Sequence, residues 1–332
     1  MSHKAATKIP ARTASVFLVI ALVSLSISAA GCQPGKTTSP IPRTPAARAA
    51  SSTTASATAQ PATFDADRAM ADLKAIEGFG VRKAGSAQER AAAKYVVSQL
   101  RALGLSPRTE SFPLLNGKKS QNVIAEIKGT SDRVVILGAH LDSKAPSPGA
   151  NDNASGCATL LELARVLATT HPTPTIQLVW FGSEEDSDSS SRWGSRWRLK
   201  KMSSSERAAV AGMVSVDGVG AGETLEVRTM DGANHPLADL FLAQAKAMEL
   251  PYEYLRDQNP TGQSDHGFFE MAGIPAVLIV WLPIDVVHSA RDTSALVRVS
   301  RLKQTGDLVL AVLDRLDTQT LDTLQTSNRS GK

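Results

Sequence analysis

The chain has 332 residues, with 36 Lys and Arg against 32 Asp and Glu, a formal net charge of +4 and a pI near 9.1. The first 60 residues hold six of those cations and no acid, so the remainder carries 30 against 32, a net −2. That balance excludes a basic nucleic-acid-binding domain, which needs its positive charge on the folded part, and with one of two cysteines in the leader no intramolecular disulfide is available to the rest.

At the amino end Lys4, Lys8 and Arg12 precede an uncharged apolar stretch, Ser15 to Ser28, that runs into Ala29-Ala30-Gly31-Cys32. This is the layout of an export signal. The stretch falls short of the roughly 18 residues that span a bilayer, so an uncleaved transmembrane anchor is the weaker alternative. Ala-Ala-Gly-Cys resembles the lipobox of bacterial lipoproteins, which implies a signal peptide over residues 1–31 and lipidation of Cys32. The chain is then exported and anchored in the cell envelope, at the outer membrane or the periplasmic face if the source is diderm. Cleavage without lipidation would give a soluble secreted form. Residues 32–62 are Pro, Ser, Thr and Ala with Lys36, Arg43 and Arg48, a composition that cannot bury a core and predicts a disordered tether. One α/β domain is expected over 63–316, followed by a polar, frayed tail over 317–332.

Within the domain, Ser86-Ala-Gln-Glu89 has the pattern of a capping box, followed by helical spacing through Tyr95, Val96, Gln99, Leu100 and Leu103 to a left-handed stop at Gly104. Apolar runs at Val123–Ile127, Val134–Leu137, Ile176–Phe181, Met213–Val216 and Ala276–Trp281 predict buried strands. Helical stretches at Ala154–Ala168, Pro236–Leu250 and Ser300–Leu316 alternate with them. The expected fold is therefore a mostly parallel mixed sheet with helices on both faces.

Ligands of open α/β sheets bind beyond the carboxyl ends of strands, and four of these ends carry unusual residues. His140 and Asp142 follow one strand, with Asp152 in the next loop. Glu184-Glu185 follow another, Asp217 closes a third, and His288 comes after the last. Four carboxylates at one edge would repel by about 4 kcal/mol per close pair at ~4 Å and an effective dielectric near ~20. No Lys or Arg stands directly after these strands, whereas imidazole and carboxylate are ligand types that zinc accepts.

The order and context of five segments resemble the aminopeptidase S/Y family of co-catalytic zinc exopeptidases: His140-Leu-Asp142-Ser143, Gly149-Ala-Asn-Asp152-Asn-Ala-Ser-Gly156, Phe181-Gly-Ser-Glu184-Glu185, Ser264-Asp-His266 with Gly273-Ile-Pro275, and His288 with Asp292-Thr293. The resemblance implies two zinc ions per chain, with Asp152 bridging, His140 and Asp217 completing one and Glu185 and His288 the other. It makes Glu184 the general base, acting on peptides with a free amino terminus, and Asp142 the acceptor that orients His140. It also implies a non-proline cis peptide ahead of Asn153. His266 is either a substrate contact or a loop support.

Taken singly, each histidine would more often be an ordinary hydrogen-bonded residue and Glu184-Glu185 an exposed turn; their convergence favours ligation. Cys157 is expected in the core, and His3, His171 and His235 are not ligand candidates. Arg291 and Asp292 could pair to hold the His288 loop. Two departures from the family stand out: Val287 where a Tyr is common, and a long acidic, Ser-rich stretch from Asp186 to Arg192. Two further readings stay open, a glutaminyl cyclase on the same fold and a binding domain without catalysis.

Overall fold

Alternation along the central strands sorts apolar residues onto two faces, and each face carries its own helices. The computed structural model describes residues 63–185, 192–230, 235–259 and 263–327. The signal peptide, Cys32, the tether over 32–62 and residues 186–191 lie outside the described residues. The helices are α1 (Ala66–Glu77), α2 (Ala87–Ala102), α3 (Gly156–Leu167), α4 (Trp193–Lys201), α5 (Ser204–Ala209), α6 (Pro236–Ala247), α7 (His266–Met271), α8 (Val299–Leu313) and α9 (Thr318–Ser327). The strands are β1 (Arg108–Pro113), β2 (Lys119–Ile127), β3 (Ser131–His140), β4 (Pro174–Phe181), β5 (Val210–Val216), β6 (Thr224–Met230), β7 (Tyr252–Asp257) and β8 (Ala276–Leu282).

They form one mixed sheet, as the sequence pattern predicts, in the order β1-β2-β4-β3-β5-β8-β6-β7. Its centre, β4-β3-β5-β8, is parallel throughout, so those four strands deliver their carboxyl ends to one edge. Every residue of β4 and β5 is buried, as expected of strands covered on both sides. Val135, Leu137 and Ala139 of β3 face a core shared with α1, α2, α3, α6, α8 and α9, while Ile136 packs with Leu199 of α4 and Phe269 of α7 on the other side. Gly306 in mid-α8 has a packing cause, because a Cβ there would lie 2.2 Å from the Phe64 ring.

Two local expectations need amending. Ser86 caps α2, accepting from Glu89 N–H at 3.1 Å, but the Glu89 carboxylate does not close the box; it accepts from Gly85 N–H at 2.6 Å and Ser120 Oγ at 2.5 Å. A complete capping box occurs at Ser203 and Glu206, ahead of α5. The polar stretch after Asp317 is helical over Thr318–Ser327, because Leu321 and Leu324, three residues apart, make an apolar stripe that is buried in the main core. The stop at Gly104 is as expected, with φ +78°.

Candidate metal centre and its cleft

Strand β3 is longer than its apolar run and ends on His140, which places that imidazole at the sheet edge beside the ends of β4 and β5. The chain then loops to a single wide turn, Ala150–Ser155, broken by extended backbone at Asp152 and Asn153. The peptide between these two residues is cis. Gly149, at φ +64°, lets the loop close on itself, since a Cβ there would stand 2.3 Å from Asp152 O.

The five expected ligands meet. His140 Nε2 lies 3.1 Å from Asp152 Oδ1 and 3.3 Å from Asp217 Oδ1. His288 Nε2 lies 3.3 Å from Asp152 Oδ2 and 2.9 Å from Glu185 Oε1. The sets His140/Asp152/Asp217 and Asp152/Glu185/His288 each bring their ligand atoms within 4.8 Å. Tetrahedral zinc, with bonds of about 2.0–2.2 Å, separates its ligand atoms by roughly 3.3–3.6 Å, so donor types and spacing suit that ion. Asp152 belongs to both sets and offers one oxygen to each.

Charge in the pocket is held in tension. Burial opposes a charge on His140, but the carboxylates around it, Asp217 first and then Asp142 and Asp152, outweigh it and hold the imidazole well above its ordinary value. His288 is raised to about 9 by its hydrogen bonds to Asp152 and Glu185. Burial opposes ionisation of Asp152 too, yet His140 and His288 keep it below the carboxylate range. Burial pushes Glu185 up to about 7, and it drives Glu184 well above its ordinary value, reinforced by the charges of Glu185, Asp265 and Asp217. Without a cation, then, the histidines supply the positive charge; a metal would displace their protons.

Asp142 has a contact that the sequence does not disclose. His140 Nδ1 is 3.1 Å from the Asp142 carbonyl oxygen and 3.7 Å from its carboxylate. The carboxylate instead accepts the backbone N–H groups of Glu184 at 2.9 Å and Glu185 at 3.0 Å, so it orients the double Glu. Ser183, just before them, is held at φ +59°, and His288 at φ +60°, a conformation that costs a non-glycine residue on the order of 1 kcal/mol or more.

Other supports have little or no signature in the sequence. Asp292 is buried, and its carboxylate goes to the amides of Asn151 at 2.7 Å and Asp152 at 3.1 Å rather than to Arg291. Arg82 is fully buried and donates to the carbonyls of Leu141, Pro148 and Gly149, at 2.8, 2.5 and 2.9 Å. Ser264 Oγ donates to Asp217 Oδ2 at 2.8 Å. Of these three, Asp292 and Ser264 carry a signal, as members of the family's motifs. His266 is buried with its Nε2 3.7 Å from Asp257 and does not line the cleft. Cys157 is in the core, its thiol 3.0 Å from His140 O and its pKa pushed up to about 12 by burial. His235 pairs with Glu270 at 3.1 Å, away from the centre.

The centre opens into a cleft of about 420 Å³. Leu278, Val280, Leu282, Ile284 and Val287 make its apolar wall, and Arg192, whose guanidinium is 3.8 Å from Glu184, stands on the rim with Lys144 and Arg228.

Comparisons with known proteins show the family to which this region belongs. The family described as Peptidase family M28 matches residues 122–313, which contain every centre residue named above from His140 to His288. The chain is 30% identical over 238 residues to leupeptin-inactivating enzyme 1 of Streptomyces exfoliatus, covering 70% of this chain and 52% of that protein. It is 32% identical over 215 residues to aminopeptidase YwaD of Bacillus subtilis, covering 62% and 46%. The chain thus spans about half the length of these relatives. Its fold matches BSAP, a zinc aminopeptidase from Bacillus subtilis, with a TM-score of 0.70 at 20% identity, covering 76% of this chain and 95% of that one. It also matches the Porphyromonas gingivalis glutaminyl cyclase, with a TM-score of 0.64 at 23% identity, covering 76% and 98%.

Proposed function

The chain belongs to peptidase family M28, and on that premise we propose that it is a two-zinc aminopeptidase that removes single residues from the free amino end of peptides. The observation that carries this reading is Asp152, whose two oxygens face two histidines from separate metal-type clusters. His140 and Asp217 complete one zinc site and Glu185 and His288 the other. Three protein groups would hold each ion, the ligand number of catalytic rather than structural zinc. When bound, the pair supplies Lewis acidity toward the scissile carbonyl and its developing charge.

The chain's own groups do the rest. Glu184 takes a proton from the attacking water and returns it to the departing amine nitrogen. Burial makes it a stronger base than an exposed carboxylate, and a positioned base contributes roughly 10²–10⁴-fold. Asp142 holds its backbone, and Asp292 holds that of Asp152. The substrate's α-amine lies against Glu184 and Asp217, and its first side chain against the apolar wall.

The leader's layout supports export with Cys32 lipidated and the domain from residue 63 carried on the tether. Among the described residues no helix is long and apolar enough to cross a membrane.

A glutaminyl cyclase is the second reading, favoured by the fold match to the Porphyromonas gingivalis enzyme. Against it stand the full five-ligand set and the peptidase form of the Asp152-Asn153-Ala-Ser-Gly156 loop. Mass spectrometry of a Leu peptide, its acetylated twin and a Gln peptide, with zinc counted per chain, tests both. Release of Leu from the free peptide alone and two zincs per chain are expected. Loss of ammonia from the Gln peptide with the Leu peptide untouched would overturn the aminopeptidase.

A further inference from the structure

The turn between β1 and β2 and the outer face of α4 form one surface that the peptidase reading leaves unused. Leu115, at the hairpin tip, is 71% exposed. Beside it, Phe112 and Leu114 form a small cluster apart from the main core, packed against half-buried Trp193 and Trp197. Trp193 Nε1 donates to Pro113 O at 2.9 Å, and the Phe112 and Trp197 rings are 5.9 Å apart, so hairpin and helix are tied together. Trp193, Trp197, Lys200 and Lys201 follow one side of the helix, while Gly194, Ser195, Arg198 and Leu199 are buried on the other.

The charge on this surface has one sign. Residues 192–205 and 111–125 contain no acid. Lys118 and Lys119 are exposed next to Leu115, Lys200 and Lys201 lie 5.3 and 5.2 Å from the Trp197 ring, and Arg196 lies 4.7 Å over Trp193. Half-buried tryptophan rings, an exposed apolar tip and lysines with long apolar stems suit the boundary between headgroups and acyl chains.

We propose that this surface docks the folded domain on an anionic lipid membrane, lysines on the headgroups and Leu115, Trp193 and Trp197 at the acyl boundary. The contact is separate from any lipid at Cys32 and does not depend on the peptidase reading.

Trp fluorescence of the full chain tests it directly, because all four tryptophans lie in the domain and Trp180 and Trp281 are fully buried. With vesicles of brominated phosphatidylcholine and phosphatidylglycerol, emission should be quenched and shifted to the blue. Each lysine near such a surface contributes about fivefold in partitioning, so reversing Lys118, Lys119, Lys200 and Lys201 to Glu should weaken quenching at least about a hundredfold. An unchanged melting temperature would show that this variant still folds. Trp193→Phe with Trp197→Phe should remove the quenching. The proposal is overturned if the anionic vesicles leave the emission unchanged, if phosphatidylcholine alone quenches as well, if either variant quenches like the parent, or if the shift appears on concentrating the chain without vesicles, which would mark a protein contact.

Discussion

The parallel centre of the sheet and its margins obey different rules. In β4, β3, β5 and β8 the strands are sealed on both sides, and their polar residues crowd one edge, where His140, Asp152, Glu184, Glu185 and Asp217 sit within a few ångströms of one another. At the margins β6 alternates between buried and half-buried residues, and β1 ends in an exposed hairpin. The centre owes its positions to long-range packing and to a few buried polar groups that hold loop backbone. At the margins the β1–β2 hairpin is held by local pairing and leaves its tip exposed. Substitutions at the centre should therefore cost function steeply, and those at the margins very little.

The sharpest contrast lies within one dipeptide. Glu184→Gln should lower kcat by about two orders of magnitude or more with both metals retained, since it removes the base and no ligand; Glu185→Gln should lose metal instead. Paired kinetics and metal analysis check this, and a Glu184→Gln enzyme keeping more than about a tenth of its kcat would reject the assignment.

Next comes the support beneath the ligands. Asp292→Ala frees the amides of Asn151 and Asp152, and groups that orient metal ligands typically account for about 10–100-fold in metal affinity. Competition with a zinc chelator gives the number. An affinity unchanged within about twofold would show that the Asp152 loop holds its shape without this carboxylate.

A smaller effect tests whether burial alone, away from the metals, titrates the fold. Burial raises Glu89 from an ordinary 4.5 to about 8. The folded state thus keeps a proton that the unfolded chain gives up above pH 4.5, and the associated stability is fully present below that value and lost as pH rises through about 8. Melting temperatures across this window should decline less in Glu89→Gln than in the parent; parallel curves would refute the shift. At the far margin Leu115→Ser should leave kcat/KM unchanged and stability within about 0.5 kcal/mol, as for other exposed positions, by calorimetry.

The same division explains what the amino-acid sequence discloses and what it hides. The buried strands announce themselves as uninterrupted apolar runs, and the acids and histidines that follow them are conspicuous, so candidate ligands are legible there, while their division into a five-ligand set is what the family resemblance implies. β6 and β7 are not, because their residues are half polar and lack a buried run. α9 hides because its only apolar residues are Leu321 and Leu324. Proximity in the chain matches Asp142 to His140, its neighbour two residues away, whereas its carboxylate is engaged by amides 42 and 43 residues further on. Arg82 has no sequence signal at all, since its partners are carbonyls, which every residue has, brought together only by the fold.

That arginine bears on what keeps the loop in place. Its guanidinium clasps both ends of the loop between Leu141 and Gly149 with bonds that need no ion. A loop fastened in this way owes its course to the fold, so its two ends stay set whatever occupies the neighbouring cleft.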